Sequence, residues 1–134
     1  MSHPVEGPFD VKTSPLPGDE ITTGTTLRRY GLDKLYHGPL DATAKGEMLG
    51  SGSPATGAAG YVAIEEVTGT LEGRKGSFAL QHWGTMSAGK FELRVEIVPG
   101  SGTGELTGIA GTLTITNDAG KHSYALDYTL PEAK

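Results

Sequence analysis

The chain of 134 residues contains no cysteine, which excludes disulfides, thiolate nucleophiles, zinc-ribbon sites and iron–sulfur ligation. Basic residues are outnumbered, 11 against 16 acidic ones, so with a net charge of −5 we expect no broad basic surface for nucleic acid or anionic lipid. No stretch approaches the roughly 20 apolar residues of a membrane span, and we expect no signal peptide because the first residues lack a positive region followed by an apolar run. These absences predict a soluble cytoplasmic protein, stabilised by packing alone, with no nucleic-acid or membrane partner.

An amphipathic helical stripe is also missing, because no 3.6-residue hydrophobic period lasts for three turns. The 21 glycines and 8 prolines instead suit short strands joined by tight turns. Apolar and charged residues alternate without a break over 90–98, which is typical of a strand with one wet face. The pattern predicts eight strands at 7–13, 25–37, 40–49, 59–71, 75–86, 90–98, 109–116 and 121–130.

A glycine motif occurs twice, 35 residues apart, starting at Gly69 and at Gly104. Each copy reads Gly-x-Leu-x-Gly-x-x-Gly-x-apolar-x-apolar, which is typical of a strand end, a tight turn and a new strand. An antiparallel meander of eight strands with one apolar face is expected to close into an up-and-down β-barrel, which removes its exposed edges. The length fits one domain, residues 1–134, with 1–6 and 131–134 as flexible termini.

Glu65 and Glu66 are adjacent in a predicted strand, so one carboxylate must point to each face of the sheet. In an apolar barrel the inward carboxyl is expected to have a raised pKa, as a general acid or base near neutral pH requires. The alternative is a carboxylate that a nearby Arg or Tyr satisfies as part of the barrel wall.

His82 and Trp83 are also adjacent, so one of them faces inward and the other outward. An outward Trp83 would indicate a subunit interface, and an inward one a ligand wall. The four histidines, at 3, 37, 82 and 122, have no close pair at ligand spacing, so no metal site and no cofactor are expected. Residues 84–91 nearly spell a phosphate-binding loop, but Phe91 stands where Ser or Thr is needed.

The run from Gly60 to Met86 resembles the signature of the bacterial domain-of-unknown-function family 3224. Its companions occur in the same order: Tyr36 to Leu40 running into Gly46 to Leu49, then Gly100 to Gly111, then Gly120 to Tyr124. That family is similar in fold to allene oxide cyclase and dirigent proteins, so the resemblance also implies an eight-stranded antiparallel barrel with little or no helix. It implies a turn role for Gly100 to Gly111 and no established activity.

Three functions therefore remain open. The barrel binds an apolar or amphipathic small molecule; or it is a cofactor-free cyclase or isomerase like its fold relatives, with Glu65 and His82 as catalytic groups; or it is a structural oligomer with a filled interior. The proposed ligand-binding residues are polar or aromatic residues in predicted strands: Tyr36, Glu47, Tyr61, Glu65, Gln81, His82 and His122. A homo-oligomer is expected, with a dimer as the default.

Overall fold

The computed structural model describes residues 3–17, 24–53 and 57–131. It contains eight strands, which confirm the predicted number and order: β1 (His3–Leu16), β2 (Arg28–Tyr36), β3 (Leu40–Ser53), β4 (Ala58–Leu71), β5 (Arg74–Ser87), β6 (Lys90–Ile97), β7 (Ala110–Asp118) and β8 (Lys121–Thr129). The helical structure in these residues is one 3₁₀ turn, Gly104–Leu106.

Each strand pairs antiparallel with its sequence neighbour, and β1 also pairs with β8, so the sheet is a closed barrel. The first half of β1 pairs with β8 from His3↔Tyr128 to Phe9↔His122. Its second half pairs with β2 from Phe9↔Tyr36 to Leu16↔Arg29. The up-and-down barrel predicted from the meander is therefore confirmed. Residues 3–6, which were expected in a flexible terminus, belong to β1 because β8 supplies their partners.

The two ends of the barrel differ. Residues 98–109 connect β6 to β7 across one end, here called the closed end, and bury Leu106 and Ile109 there. Backbone bonds from Thr103 N to Ser77 O (2.8 Å) and from Val98 N to Ala79 O (2.9 Å) hold this connection against β5. The opposite end, here called the mouth, carries the hairpins β3–β4, β5–β6 and β7–β8.

The two glycine motifs meet at the closed end. The first forms the tight β4–β5 hairpin as predicted, with Glu72 and Gly73 at positive φ. The second forms the 3₁₀ turn before β7, so it is not the strand-to-strand reversal that its sequence predicted. Gly76 has to be glycine because a Cβ there would collide with the carbonyl oxygen of Thr103. The repeat therefore provides the close approach of two segments.

The hydrophobic core fills the barrel from the closed end upward. Inward aromatic residues dominate it, and the rings of Tyr36 and Tyr124 pack edge to face with centroids 5.5 Å apart. The Tyr124 hydroxyl donates to His37 O (2.6 Å) and accepts from Leu40 N (3.0 Å), which fixes the β2–β3 turn. The largest fully buried side chains are Tyr36, Tyr124, Tyr128, Phe78, Leu40, Leu71, Leu80, Leu106, Ile109 and Leu126.

The barrel wall has one short seam. β6 and β7 lie wholly in the described part of the chain, and they pair only through Val95↔Leu113 and Glu96↔Thr112. The neighbouring hairpin β4–β5 pairs along all fourteen residues of each strand. From Val95 toward the mouth, β6 and β7 therefore lack the ladder that joins the other strands.

Among the described residues, none forms a helix long and apolar enough to cross a membrane.

Candidate functional site

A buried ionic cluster surrounds Glu65, which lies on the inner face of β4 while Glu66 points outward, as the two-residue period required. The Glu65 side chain has no exposed surface. Its Oε2 accepts from Lys34 Nζ (2.7 Å) and from His82 Nε2 (2.9 Å). The Tyr36 hydroxyl donates to Oε1. Two strands thus supply the partners of one carboxylate: β2 gives Lys34 and Tyr36, and β5 gives His82.

The ionisation of Glu65 differs from the sequence expectation. Burial raises the pKa of this carboxyl, but the hydrogen bond from His82 and the charge of Lys34 outweigh burial and lower the pKa to about 2. The expected raised pKa was wrong because the sequence pattern showed the burial of Glu65 but not its partners Lys34 and His82. The neighbouring Tyr36 responds in the opposite sense: burial and the Glu65 charge raise the pKa of its phenol. Glu65 is therefore a permanent anion at neutral pH, and Tyr36 a hydrogen-bond donor.

Lys34 is the residue of this cluster that the sequence analysis missed. Only 4% of the residue is exposed, and its ammonium group lies 5.3 Å from the centroid of the Phe9 ring and 5.8 Å from that of Tyr36. The aromatic faces and the Glu65 carboxylate stabilise the charge of this buried ammonium group. Its position was readable, since Lys34 alternates with the inward residues Leu32 and Tyr36.

His82 lies on the inner face of β5 and Trp83 on the outer face. Nε2 of His82 donates to Glu65, and the described residues offer Nδ1 no partner. Among these residues, every fully buried side-chain nitrogen or oxygen has a hydrogen-bond partner. Because Nδ1 has none, it belongs to the small part of the ring that solvent contacts. The Glu65 carboxylate thus fixes the tautomer with hydrogen on Nε2 and leaves Nδ1 as an available acceptor.

A cavity of about 380 Å³ opens at the mouth above this cluster. Tyr61 forms its floor: the phenol packs on the backbone of Gly84, where a Cβ would collide with the ring, and lies 6.5 Å from the His82 ring between centroids. Glycines 50, 52, 60 and 84 leave parts of the wall without side chains. Apolar and aromatic residues alternate with a few polar ones in the rest of the wall: Thr13, Arg28, Tyr30, Met48, Ser51, Ala59, Tyr61, Thr85, Met86 and Phe91.

A second concavity, an open groove of about 930 Å³, lies on the outer face of β2 to β6. Val62, Ile64 and Trp83 form its apolar centre. Charged residues border it, with Arg29 and Glu47 on one side and Glu92, Arg94 and Glu96 on the other. The Arg29 guanidinium bonds the Glu47 carboxylate at 2.6 Å. This groove is separated from the ionic cluster by the sheet itself.

The structure brings some of the sequence-predicted site residues together and separates others. Tyr36, Glu65 and His82 are in contact, and Tyr61 lies next to them toward the mouth. His122 is on the inner face of β8, its ring 5.3 Å from that of Phe9, outside hydrogen-bond contact with Glu65. Glu47 and Gln81 do not line the interior as predicted, because they alternate with the inward residues Met48 and His82 and so face outward.

Among the described residues, no group of three or more His, Asp and Glu side chains is placed to hold a metal ion. The residues that could contact a ligand at the mouth were absent from the sequence prediction, apart from Tyr61. Little in the sequence indicated a ligand site at four of them, because residues of these types are usually part of the core: Tyr30, Met48, Met86 and Phe91.

Comparison with known proteins gives the family but no activity. No curated protein matches the chain. A family model described as "Protein of unknown function (DUF3224)" matches residues 5–128. The crystal structure of a protein of unknown function from the DUF3224 family, from Shewanella oneidensis MR-1, is similar to this one, with a TM-score of 0.89 and 44% identity. The match covers 99% of this chain and 100% of that one. The chain therefore belongs to the DUF3224 family.

Proposed function

We propose that the protein binds an apolar or amphipathic small molecule in the mouth cavity. The observation that carries this proposal is the cavity itself, a space of about 380 Å³ whose wall includes three aromatic rings and two thioethers. Ligand pockets in proteins have this size and this mixture, with a few polar groups that fix orientation. Below Tyr61 the barrel is filled by its own side chains, so the ligand lies between Tyr61 and the rim.

The polar groups at the cavity favour a ligand with one anionic end. Arg28 lines the rim, and its guanidinium makes no ion pair with any described residue. Thr13 and the phenols of Tyr30 and Tyr61 add uncharged polar groups. An apolar body against Met48, Met86 and Phe91, with a carboxylate or sulfonate toward Arg28, fulfils both requirements.

Filling the cavity is expected to abolish binding. Ala59 points into the mouth, so Ala59→Phe places a ring where the ligand would lie, and Ala125→Phe on the outer face of β8 is the matched control. Binding of 8-anilinonaphthalene-1-sulfonate, an apolar anion, is followed by fluorescence titration. We expect Ala59→Phe to weaken binding at least tenfold and Ala125→Phe to leave it unchanged. Equal affinities for Ala59→Phe and the unaltered protein would contradict the proposal.

A second candidate is a cofactor-free isomerase or cyclase, similar to the allene-oxide-cyclase-like barrels. The arrangement that favours it is the Glu65–His82 pair, in which an ionised carboxylate holds Nε2–H and Nδ1 stays open. A substrate that displaced Tyr61, which lies between the cavity and His82, would bring a proton to Nδ1; the Glu65 charge would stabilise the imidazolium, and Nδ1–H would return the proton elsewhere on the same molecule. Such a rearrangement conserves every atom and needs no oxidant or reductant.

The second candidate is tested with whatever molecule the protein retains on purification, detected by native mass spectrometry and then extracted. An isomerase changes the chromatographic retention of this molecule on incubation without changing its mass. His82→Gln keeps an N–H donor for Glu65 but removes the basic Nδ1, so we expect it to bind the molecule and not convert it. Conversion at the same rate by His82→Gln would exclude His82 as the base.

A further inference from the structure

The outer groove carries an apolar patch that nothing in the described chain covers. Val62, Ile64 and Trp83 are 52%, 58% and 48% exposed. They are contiguous, because Val62 lies directly opposite Trp83 in the β4–β5 ladder and Ile64 is the next outward residue of β4. Large apolar side chains grouped in this way and rimmed by charges mark interaction surfaces on soluble proteins.

The sheet register arranges the patch in two parallel rows across five strands. The first row is Arg29, Leu49, Val62, Trp83 and Arg94. The second row, two residues along each strand, is Gly31, Glu47, Ile64, Gln81 and Glu96. Apolar residues occupy the middle of both rows. Arg29 and Arg94 stand at the two ends of the first row. In the second row, Glu96 stands at one end and Glu47 is next to the residue at the other end.

We propose that this face binds a second copy of the chain in a two-fold dimer. A face-to-face dimer has its two-fold axis in the plane of the interface. An axis that crosses the strands between the two rows lays the first row of one copy on the second row of the other. Arg94 then meets the partner's Glu96, and Val62 meets the partner's Ile64. An axis parallel to the strands would instead set Arg29 against the partner's Arg94, which like-charge repulsion disfavours.

The groove accommodates the bulkiest side chain of the patch. In this arrangement Trp83 lies over the partner's Gln81 and projects into the partner's open groove, and the partner's Trp83 does the same in return. From ordinary strand spacings, the two rows span roughly 20 Å across the strands. Together with the flanking row that contains Glu92, they extend about 14 Å along the strands. This area, roughly 280 Å² per copy, is below that of a standard stable interface, so we expect a weak dimer that dissociates at micromolar concentration.

Charge reversal tests both the dimer and its geometry. Arg94→Glu and Glu96→Arg each place like charges together twice in the dimer, and we expect each to raise the dissociation constant at least tenfold in sedimentation velocity experiments. The double variant Arg94→Glu/Glu96→Arg restores opposite charges across the axis and is expected to dimerise as the unaltered chain does. Asp127→Lys on the outer face of β8 is the control and should change nothing.

Three results would overturn the proposal. The first is an unaltered chain that remains monomeric at a concentration 100 times the expected micromolar dissociation constant. The second is a dimer that neither single reversal weakens, since it would use another face. The third is a double variant that is as weak as the single ones, which would exclude the Arg94–Glu96 contact. Circular dichroism checks that each variant retains the β-sheet spectrum.

Discussion

Glu65→Gln is expected to lower the free energy of unfolding by about 3–5 kcal/mol at pH 7, because it leaves the Lys34 ammonium buried without its counter-ion. The amide keeps the size of the carboxylate, so the loss reports charge and hydrogen bonding rather than a cavity. Urea unfolding at 25 °C measures it. Glu66→Gln, one residue away on the outer face, is the matched control and should change stability by less than about 0.5 kcal/mol.

The ion pair of Lys34 and Glu65 allows a second check on the origin of this loss. Lys34→Met/Glu65→Gln removes both charges, so we expect it to be more stable than Glu65→Gln alone, although it has one more substitution. A double variant whose loss equals the sum of the single losses would show that the two groups do not interact.

The pH dependence of stability follows from the pKa of Glu65. Its folded-state pKa, about 2, lies below the ordinary 4.5, so the stabilisation is complete above pH 4.5 and is lost as the pH falls toward 2. The unaltered protein should therefore lose stability across this window, by about 3 kcal/mol for this group. Glu65→Gln should lack this component, so the stability difference between the two proteins narrows with acid. A difference that stays constant from pH 5 to pH 2 would contradict the assigned pKa.

Gly46→Ala is expected to destabilise the barrel by about 3 kcal/mol or more, because its Cβ would collide with the backbone of β4 at Ile64 and Glu65. Backbone atoms cannot rotate away as a side chain can, so β3 and β4 have to separate. The separation also moves Glu65, which pairs with Gly46, away from Lys34 and His82. Thermal and urea unfolding measure the loss.

The matched control is Gly31→Ala on the adjacent strand β2. A Cβ at Gly31 has its nearest neighbour, Leu16 Cδ2, at 3.8 Å, and the φ angle is not positive. We expect this variant to be neutral or stabilised by up to about 1 kcal/mol, since alanine restricts the unfolded chain. If Gly46→Ala were as stable as Gly31→Ala, the close approach of β3 and β4 at Gly46 would be wrong.

Much of the fold could be predicted from local patterns, because an antiparallel meander depends on neighbours in the chain. The alternation in Lys90–Ile97 and the turn glycines place most strand ends within a few residues of those in the structure. The largest difference is β1, which begins at His3. Its proline-rich sequence has little strand propensity, and its first half is a strand because it pairs with β8, at the far end of the chain.

The site was less predictable, because the candidate residues were chosen by type, although the two-residue period also decides which face of the sheet each residue occupies. The two-residue period correctly separates Glu65 from Glu66 and His82 from Trp83. The same period forbids Gln81 and His82 from sharing a face, yet both were placed in the interior because both are polar. Lys34 was not among the predicted site residues, although its position in the strand is an inward one. Its partner Glu65 is 31 residues away, and no local pattern reports such a pairing.

The short β6–β7 seam gives the wall an unequal mechanical strength. Opening a hydrogen-bonded ladder costs free energy for each pair that separates, and two pairs separate far more readily than the fourteen of the β4–β5 hairpin. We therefore expect the mouth ends of β6 and β7 to separate more readily than other neighbouring strands, which keep their register. Phe91 lies at the mouth end of β6, so such a separation would change the width of the cavity entrance without unfolding the core.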